Sequence, residues 1–246
     1  MKLEGKTAII TGAGGHLGRG TALRLAEEGA RVMINDINLD EAEKTVKMIN
    51  HQGCQALANG ADITQTGQVR DMVDQVLSVW GKVDILVNNA GDIRDALLTK
   101  MTDEQWDFVI DLNLKGSFLC ARAVAQHMME RRYGKIVNIA SMAYKGNAGQ
   151  ANYSSAKSGL VGLTWALGLE LARYGINVNC IAPGMIETPR TRSLDERTVD
   201  RIIKLTPMRR MGEIIDIANA VLFFVSEDSK FVTRQVIHVA GGMEGF

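Results

Sequence analysis

Four glycines fall within the seven residues Gly12-Ala13-Gly14-Gly15-His16-Leu17-Gly18, directly after the apolar run Thr7-Ala8-Ile9-Ile10. A helical pattern follows, with Leu17, Ala22, Leu25 and Ala26 spaced for one buried face, and it stops near Gly29. A strand, a glycine turn and a helix in that order aim main-chain N–H groups and a helix N-terminus at one crevice, where small residues let a phosphate group approach. The same order commits the strand to a parallel sheet, provided that strands and helices keep alternating.

They do. Arg31-Val32-Met33-Ile34-Asn35 is a second strand ending at Asp36, and Asn38-Leu39-Asp40-Glu41 carries an N-cap signal for a helix reaching about Gly53. A third strand, around Gln55 to Asn59, is inferred from the rhythm of its neighbours. Val69, Met72, Val73, Val76, Leu77 and Trp80 form a 3.6-residue stripe closed by Gly81, and Asp84-Ile85-Leu86-Val87-Asn88 reads as a central parallel strand. Thr102-Asp103-Glu104-Gln105 is a capping box opening a long helix through Phe108, Leu112, Phe118, Val124 and Met128. A strand at Ile136 to Ala140, a helix to about Arg173, and a strand from Ile176 ending at Pro183-Gly184 come next. The polar segment from Met185 to about Arg210 contains Pro189 and Pro207 and is expected to be a mobile lid over the substrate. A helix over Ile214 to Val225 and a strand at Gln235 to Val239 complete an α/β pattern. One domain spanning 1–246 is expected, a parallel sheet covered on both faces with its crevice at the carboxyl ends of the strands.

Composition excludes several partners. Acidic and basic residues balance at 28 each, which gives no pull toward nucleic acid or an anionic membrane surface. No apolar run approaches the ~20 residues that span a bilayer, and Met1-Lys2-Leu3-Glu4-Gly5-Lys6 lacks a signal-peptide core. Cys54, Cys120 and Cys180 are odd in number, widely spaced and without a CxxC. They read as free thiols in a reducing, cytoplasmic compartment, and no metal site is expected.

Two features carry chemistry. Tyr153 and Lys157 lie one helical turn apart, on one face. Bringing a phenol from its reference pKa near ~10 to about 7 takes roughly 4 kcal/mol of preference for the phenolate. An adjacent ammonium supplies part of that, so the pair is a candidate proton-transfer device, although the same spacing also occurs on solvated helices. Asp36, about twenty residues after the glycine turn, is placed to accept hydrogen bonds from both hydroxyls of an adenosine ribose. It would repel a 2′-phosphate, and the next residue is Ile37 rather than an arginine. NAD(H) is therefore expected over NADP(H).

Thr11-Gly12 through Gly18, Asp62, Asn88-Asn89-Ala90-Gly91, Asn113, Ser141, Tyr153-x-x-x-Lys157 and Pro183-Gly184 resemble, in order and spacing, the short-chain dehydrogenase/reductase family over essentially the whole chain. The resemblance implies a seven-stranded, doubly wound Rossmann-type sheet. It implies that the turn holding Gly12, Gly15, His16, Leu17 and Gly18 binds the cofactor, that Asp62 and Ile63 bracket the adenine, and that Asn89, Ala90 and Gly91 support the ribose. Pro183, Gly184, Ile186 and Thr188 would border the nicotinamide. The implied catalytic group is Asn113, Ser141, Tyr153 and Lys157. Tyr153 would exchange a proton with the substrate oxygen that Ser141 holds, with Gln150 also beside the substrate. Lys157 would bind the nicotinamide ribose and lower the tyrosine pKa, and Asn113 would hold a water linking Lys157 to solvent. Three positions depart from the family pattern: His16 replaces a glycine of TGxxxGxG, Arg234 stands where many relatives have glycine, and Ala240 where aspartate is frequent.

Within the family, Asp95 to Met101, Gly146 to Gln150 and Pro183 to Thr188 resemble 3-oxoacyl-acyl-carrier-protein reductases and acetoacetyl-CoA reductases. That likeness implies reduction of a 3-oxoacyl thioester in a homotetramer. An acidic carrier protein would dock on basic residues near Arg131, Arg132 and Arg173. Most such enzymes use NADPH, against the sign of Asp36. The alternatives are an NAD-dependent secondary-alcohol or hydroxy-ketone dehydrogenase, and a non-catalytic NAD-binding regulator, which would be expected to have lost Tyr153 or Lys157.

Overall fold

The computed structural model describes residues 1–245, with Arg190 described by its backbone alone. Seven strands form one sheet: β1 (Thr7–Thr11), β2 (Arg31–Asn35), β3 (Ala56–Asn59), β4 (Ile85–Asn88), β5 (Gly134–Ile139), β6 (Ile176–Pro183) and β7 (Val236–Val239). Their order is β3-β2-β1-β4-β5-β6-β7, and every pair is parallel. The chain winds outward from β1 in one direction and from β4 in the other, so the order reverses between β1 and β4. Ligands of such sheets enter at that reversal, outside the carboxyl ends of the strands.

The helices are α1 (His16–Glu27), α2 (Leu39–His51), α3 (Thr66–Trp80), α4 (Asp103–Ile110), α5 (Gly116–Arg131), α6 (Ala151–Leu171), α7 (Pro189–Arg192), α8 (Glu196–Leu205) and α9 (Ile214–Val225). Because β-strand side chains alternate between faces, Ile10, Ile34, Val87, Val137 and Ile181 pack toward α1, α2 and α9. Ile9, Met33, Leu86, Ile136 and Val178 pack toward α3, α5 and α6. Caps fall where the sequence puts them. Asn38 accepts from the Glu41 N–H, and Thr102 and Gln105 form a reciprocal capping box. None of the described helices is long and apolar enough to cross a membrane.

Two elements and one residue differ from the sequence reading. The helix opened by Thr102 is not one α-helix: a π-turn, Asp111–Lys115, separates α4 from α5. The segment with weak helical pattern after Met185 contains α7 and α8, started by the side chains of Thr188 and Asp195. Only Ile202 of α8 is buried, which is why its apolar signal is thin. Leu17, expected in the buried stripe of α1, is half-buried at the crevice, while Ala22, Leu25 and Ala26 are buried as expected.

Candidate functional site

A cleft of about 780 Å³ lies at the carboxyl ends of β1, β2, β4, β5 and β6. Its floor is the glycine turn. Gly12 is left-handed (φ 63°), and a Cβ there would meet Ala90 Cα at 2.8 Å. A Cβ at Gly14 would lie 2.9 Å from Asp36 Oδ2; in its absence the Gly14 N–H donates to that oxygen at 3.0 Å. The Gly14 carbonyl accepts from Arg19, whose guanidinium also pairs with Glu41 at 2.8 Å. Thr11 Oγ1 accepts from the N–H groups of Asn89 (3.1 Å) and Ala90 (3.0 Å), and Asn89 Nδ2 donates to the Thr11 carbonyl at 2.9 Å. These bonds fasten the ends of β1 and β4 together at the reversal of strand order.

Of the residues expected at the site, Gly12, Gly15, His16, Leu17, Gly18, Asp36, Asp62, Ile63, Asn89, Ala90, Gly91, Ser141, Tyr153, Lys157, Pro183, Gly184 and Ile186 all line this cleft. Asp36 ends β2 with Oδ1 accepting from the Asn38 N–H at 3.0 Å. Asp62 accepts from the Thr64 N–H and hydroxyl, which shapes the turn before α3.

Tyr153 and Lys157 face one another across a single turn of α6, with Lys157 Nζ 5.5 Å from the ring centroid. Lys157 is buried, and Nζ donates to the Ile139 carbonyl at 2.9 Å. Burial pushes its ammonium down to about 8, so at neutral pH it is still mostly charged. The Cys180 thiol beside it is pushed up to about 11, again by burial, and brings no counter-charge. Ser141 caps the short turn after β5, its Oγ accepting from the Ala143 N–H at 3.1 Å.

Three expected residues stand off the cleft wall. Asn113 lies just behind it in the π-turn, where Nδ2 donates to the carbonyls of Val109 and Asp92, both at 2.9 Å. Its Oδ1 is buried without a partner among the described residues, close over Gly91, where Lys157 Nζ also reaches. Gln150 donates to the Asp95 carboxylate and accepts from Asn147. Thr188 spends its hydroxyl capping α7. Residues not anticipated also form the wall, among them Asp92, Ile93, Phe108, Asp111 and Leu112. Asp92 and Ile93 follow β4 directly, a position that in a parallel sheet faces the crevice and was readable. Phe108 carries the Arg94 guanidinium on its ring at 4.1 Å, and Arg94 pairs in turn with Asp92.

The basic residues considered for docking lie elsewhere. α5 and α6 both start at the cleft and run away from it, and the 16 residues of α5 alone span roughly 24 Å. Arg131 is held by buried Asp84 at 2.9 Å, Arg132 donates to the Arg173 carbonyl at 3.0 Å, and Arg173 stacks on Tyr174.

The cleft fits a dinucleotide. It offers a side-chain-free turn at a helix N-terminus, a carboxylate at the end of β2, and an unpaired buried amide oxygen beside a buried ammonium. Comparison with known proteins agrees. The family model described as enoyl-(acyl carrier protein) reductase matches residues 12–244. The (2S)-[(R)-hydroxy(phenyl)methyl]succinyl-CoA dehydrogenase subunit BbsD of Thauera aromatica is 47% identical over 100% of this chain and 99% of its own. The 3-oxoacyl-[acyl-carrier-protein] reductase FabG of Staphylococcus epidermidis is 44% identical over 97% of this chain and 98% of its own. Among solved structures, a gluconate 5-dehydrogenase from Burkholderia cenocepacia in complex with NADP and tartrate superposes with a TM-score of 0.94 at 37% identity, covering 98% of this chain and 96% of that one. With this fold, this cleft and these relatives, the chain belongs to the short-chain dehydrogenase/reductase family, oxidoreductases that use a nicotinamide cofactor to interconvert CH–OH and carbonyl groups.

Proposed function

We propose that the chain interconverts 3-oxoacyl and 3-hydroxyacyl thioesters with NAD(H). The observation that carries this reading is the meeting of the Ser141 hydroxyl, the Tyr153 phenol and the buried Lys157 ammonium in one cleft. A bound nicotinamide supplies or accepts the hydride; the remaining work falls to the protein. Ser141 donates a hydrogen bond to the substrate oxygen and orients it. Tyr153 gives that oxygen a proton in reduction and takes it back in oxidation. The Lys157 ammonium, on the same face of α6 as the Tyr153 ring, favours the phenolate over the phenol and so eases proton exchange at neutral pH. Asn113 Oδ1, buried and unpaired, is available to a water that would pass the proton on past Lys157.

The turn from Gly12 to Gly18 would hold the pyrophosphate, Asp36 the adenosine ribose, Asp62 and Ile63 the adenine, and Asn89 to Gly91 the second ribose. Pro183, Gly184 and Ile186 would border the nicotinamide. NAD over NADP follows from charge. Among the described residues of the cleft wall, Lys157 is the one Lys or Arg, and Arg19 near Asp36 is already committed to Gly14 and Glu41. A 2′-phosphate would face the Asp36 carboxylate uncompensated. The thioester is supported by two relatives named for acyl-CoA and acyl-carrier-protein substrates, and by the apolar wall of Ile93, Phe108 and Leu112. A second reading, a dehydrogenase of small hydroxy acids or secondary alcohols, is favoured by the gluconate 5-dehydrogenase likeness. Pairing with further copies in a homotetramer is supported by the apolar groove of Leu114, Phe118, Leu163 and Ala166 between the π-turn, α5 and α6.

The test is a steady-state panel of acetoacetyl-CoA, 3-hydroxybutyryl-CoA, gluconate and small secondary alcohols, each with both cofactors. The thioesters with NAD(H) are expected to give the highest kcat/KM. Preference for a small alcohol, or for NADP(H), would remove the corresponding half of the proposal.

A further inference from the structure

Beneath the cleft, the core holds a thread of polar side chains, none of which lines the cleft. Asn88 and Asn138 are register partners on β4 and β5, and both are buried. Asn88 Nδ2 donates to Asn138 Oδ1 at 2.8 Å and to the Ser117 carbonyl at 3.2 Å. Asn138 Nδ2 donates to Thr164 Oγ1 at 2.9 Å, and the Thr164 hydroxyl donates to the Leu160 carbonyl at 2.8 Å. At the other end, Ser117 Oγ donates to the Asn113 carbonyl at 3.0 Å. The bonds run from the π-turn, across two strands, to the helix that carries Tyr153 and Lys157. The residue after Asn138 on β5, Ile139, supplies the carbonyl that receives Lys157 Nζ.

Such a thread is a poor source of stability. A buried hydrogen bond contributes about 1 kcal/mol net, while an unpaired buried acceptor such as Asn88 Oδ1 costs about 1–3 kcal/mol. Apolar side chains of the same volume would do as well. What the polar groups supply is a fixed placement of one helix against another, because each bond has its own donor, acceptor and direction.

We propose that Asn138 and Thr164 are positioning residues for the reaction, tying α6 to the π-turn so that Lys157, Tyr153 and Asn113 keep the spacing that proton transfer requires. This rests on the assignment of the proton to Tyr153 made above. The titratable groups facing Lys157 are the Tyr153 phenol on its own helix and the Cys180 thiol on β6.

Thr164→Val keeps the shape of the side chain and removes the hydroxyl, whereas Thr164→Ser keeps the hydroxyl. In the full-length enzyme, assayed with its best substrate from the panel above, Thr164→Val is expected to lower kcat about tenfold while cofactor Kd and substrate KM stay within about twofold. The limb of its kcat–pH profile that Tyr153 sets, the acid limb in oxidation and the alkaline limb in reduction, should move up by about half a unit, and Thr164→Ser should restore both kcat and profile. If Thr164→Val fails to fold, Asn88→Leu, which removes the amide that bonds both Asn138 and the Ser117 carbonyl, cuts the other end of the thread and is read for the same changes. An unchanged kcat and profile, or a loss that Thr164→Ser does not restore, overturns the proposal. Tyr153→Phe, measured alongside, separates the two levels. Turnover retained there overturns the assignment of the proton, and turnover lost there with normal Thr164→Val kinetics overturns the thread alone.

Discussion

The Gly14 N–H donates to Asp36 Oδ2 at 3.0 Å, so the carboxylate that ends β2 also braces the glycine turn. Asp36 thus joins the two places where a dinucleotide would be held, its ribose and its pyrophosphate. Asp36→Ala should weaken NADH binding by about one to two orders of magnitude, the worth of one or two hydrogen bonds to a charged group. It should also narrow the gap between NADH and NADPH, since the repulsive charge is gone. Fluorescence titration with both cofactors checks this, and an unchanged ratio would take Asp36 out of cofactor selection.

Tyr153→Phe removes one hydroxyl and leaves the ring that faces Lys157. The expected loss in kcat is about 10²–10⁴-fold, the usual contribution of a positioned acid or base, with NADH affinity nearly unchanged. Equal losses in kcat and in cofactor binding would mean that the phenol holds the cofactor rather than moving a proton.

Lys157 is a charge kept at a cost. Its folded value of about 8 lies below the 10.5 of an ordinary lysine, because burial disfavours the ammonium. Below about pH 8 the group is charged in both folded and unfolded chains, and the full cost is present. As pH rises from about 8 toward 10.5 the unfolded chain holds the proton longer, and the cost fades. Lys157→Met should therefore abolish turnover yet be at least as stable at pH 7, with a gain on the order of 3 kcal/mol at most, reduced by the Ile139 carbonyl left unpaired. Thermal unfolding at pH 7 and pH 10 tests this, because the advantage of the variant should shrink at the higher pH. A destabilised variant at pH 7 would show that the ammonium is a net structural asset.

Arg131 is expected to behave as a structural residue. It pairs with Asp84, which has no exposed surface and also receives Lys82 at 3.2 Å and the Thr7 N–H at 2.9 Å. Arg131→Ala should cost about 2–3 kcal/mol in urea unfolding, somewhat less than loss of a fully buried partner because Lys82 remains. Arg132→Ala and Arg173→Ala should each change stability by less than about 0.5 kcal/mol. Any effect of those two on turnover with an acyl-carrier-protein substrate, absent with the CoA thioester, would mark a docking surface.

The parts legible in sequence were those written in local chemistry. The glycine turn, the N-cap at Asn38 and the box at Thr102 depend on residues a few positions apart, and they appear where expected. β3, thin in apolar pattern, was recovered only because a parallel α/β rhythm requires a strand there, and it pairs with β2 over four residues. The π-turn left no mark, since one residue gained in a helix that is apolar on several faces does not disturb its periodicity. α8 was faint for the opposite reason, because a helix burying one isoleucine has almost no stripe to read. Arg131 was grouped with the basic docking residues because its partner, Asp84, lies 47 residues earlier in the chain and nothing local marks the pair. Gln150 and Thr188 carried a family expectation, and here both spend their side chains on neighbours.

The π-turn also has a meaning for how this chain tolerates insertion and deletion. An i→i+5 turn is a helix carrying one residue more than its length needs. Removing a single residue between Asp111 and Lys115 would let α4 and α5 join as one regular helix, better bonded along its backbone. It would leave the two flanking helices in register and remove only the widened turn that presents Asn113. Asn113 would then leave its place over Gly91, and Leu114 its seat against Gly159. Elsewhere on the surface, a gain or loss of one residue is absorbed by a loop. Here the count of residues is itself a coordinate of the site, and the deletion that most improves the helix is the one the cleft is least able to bear.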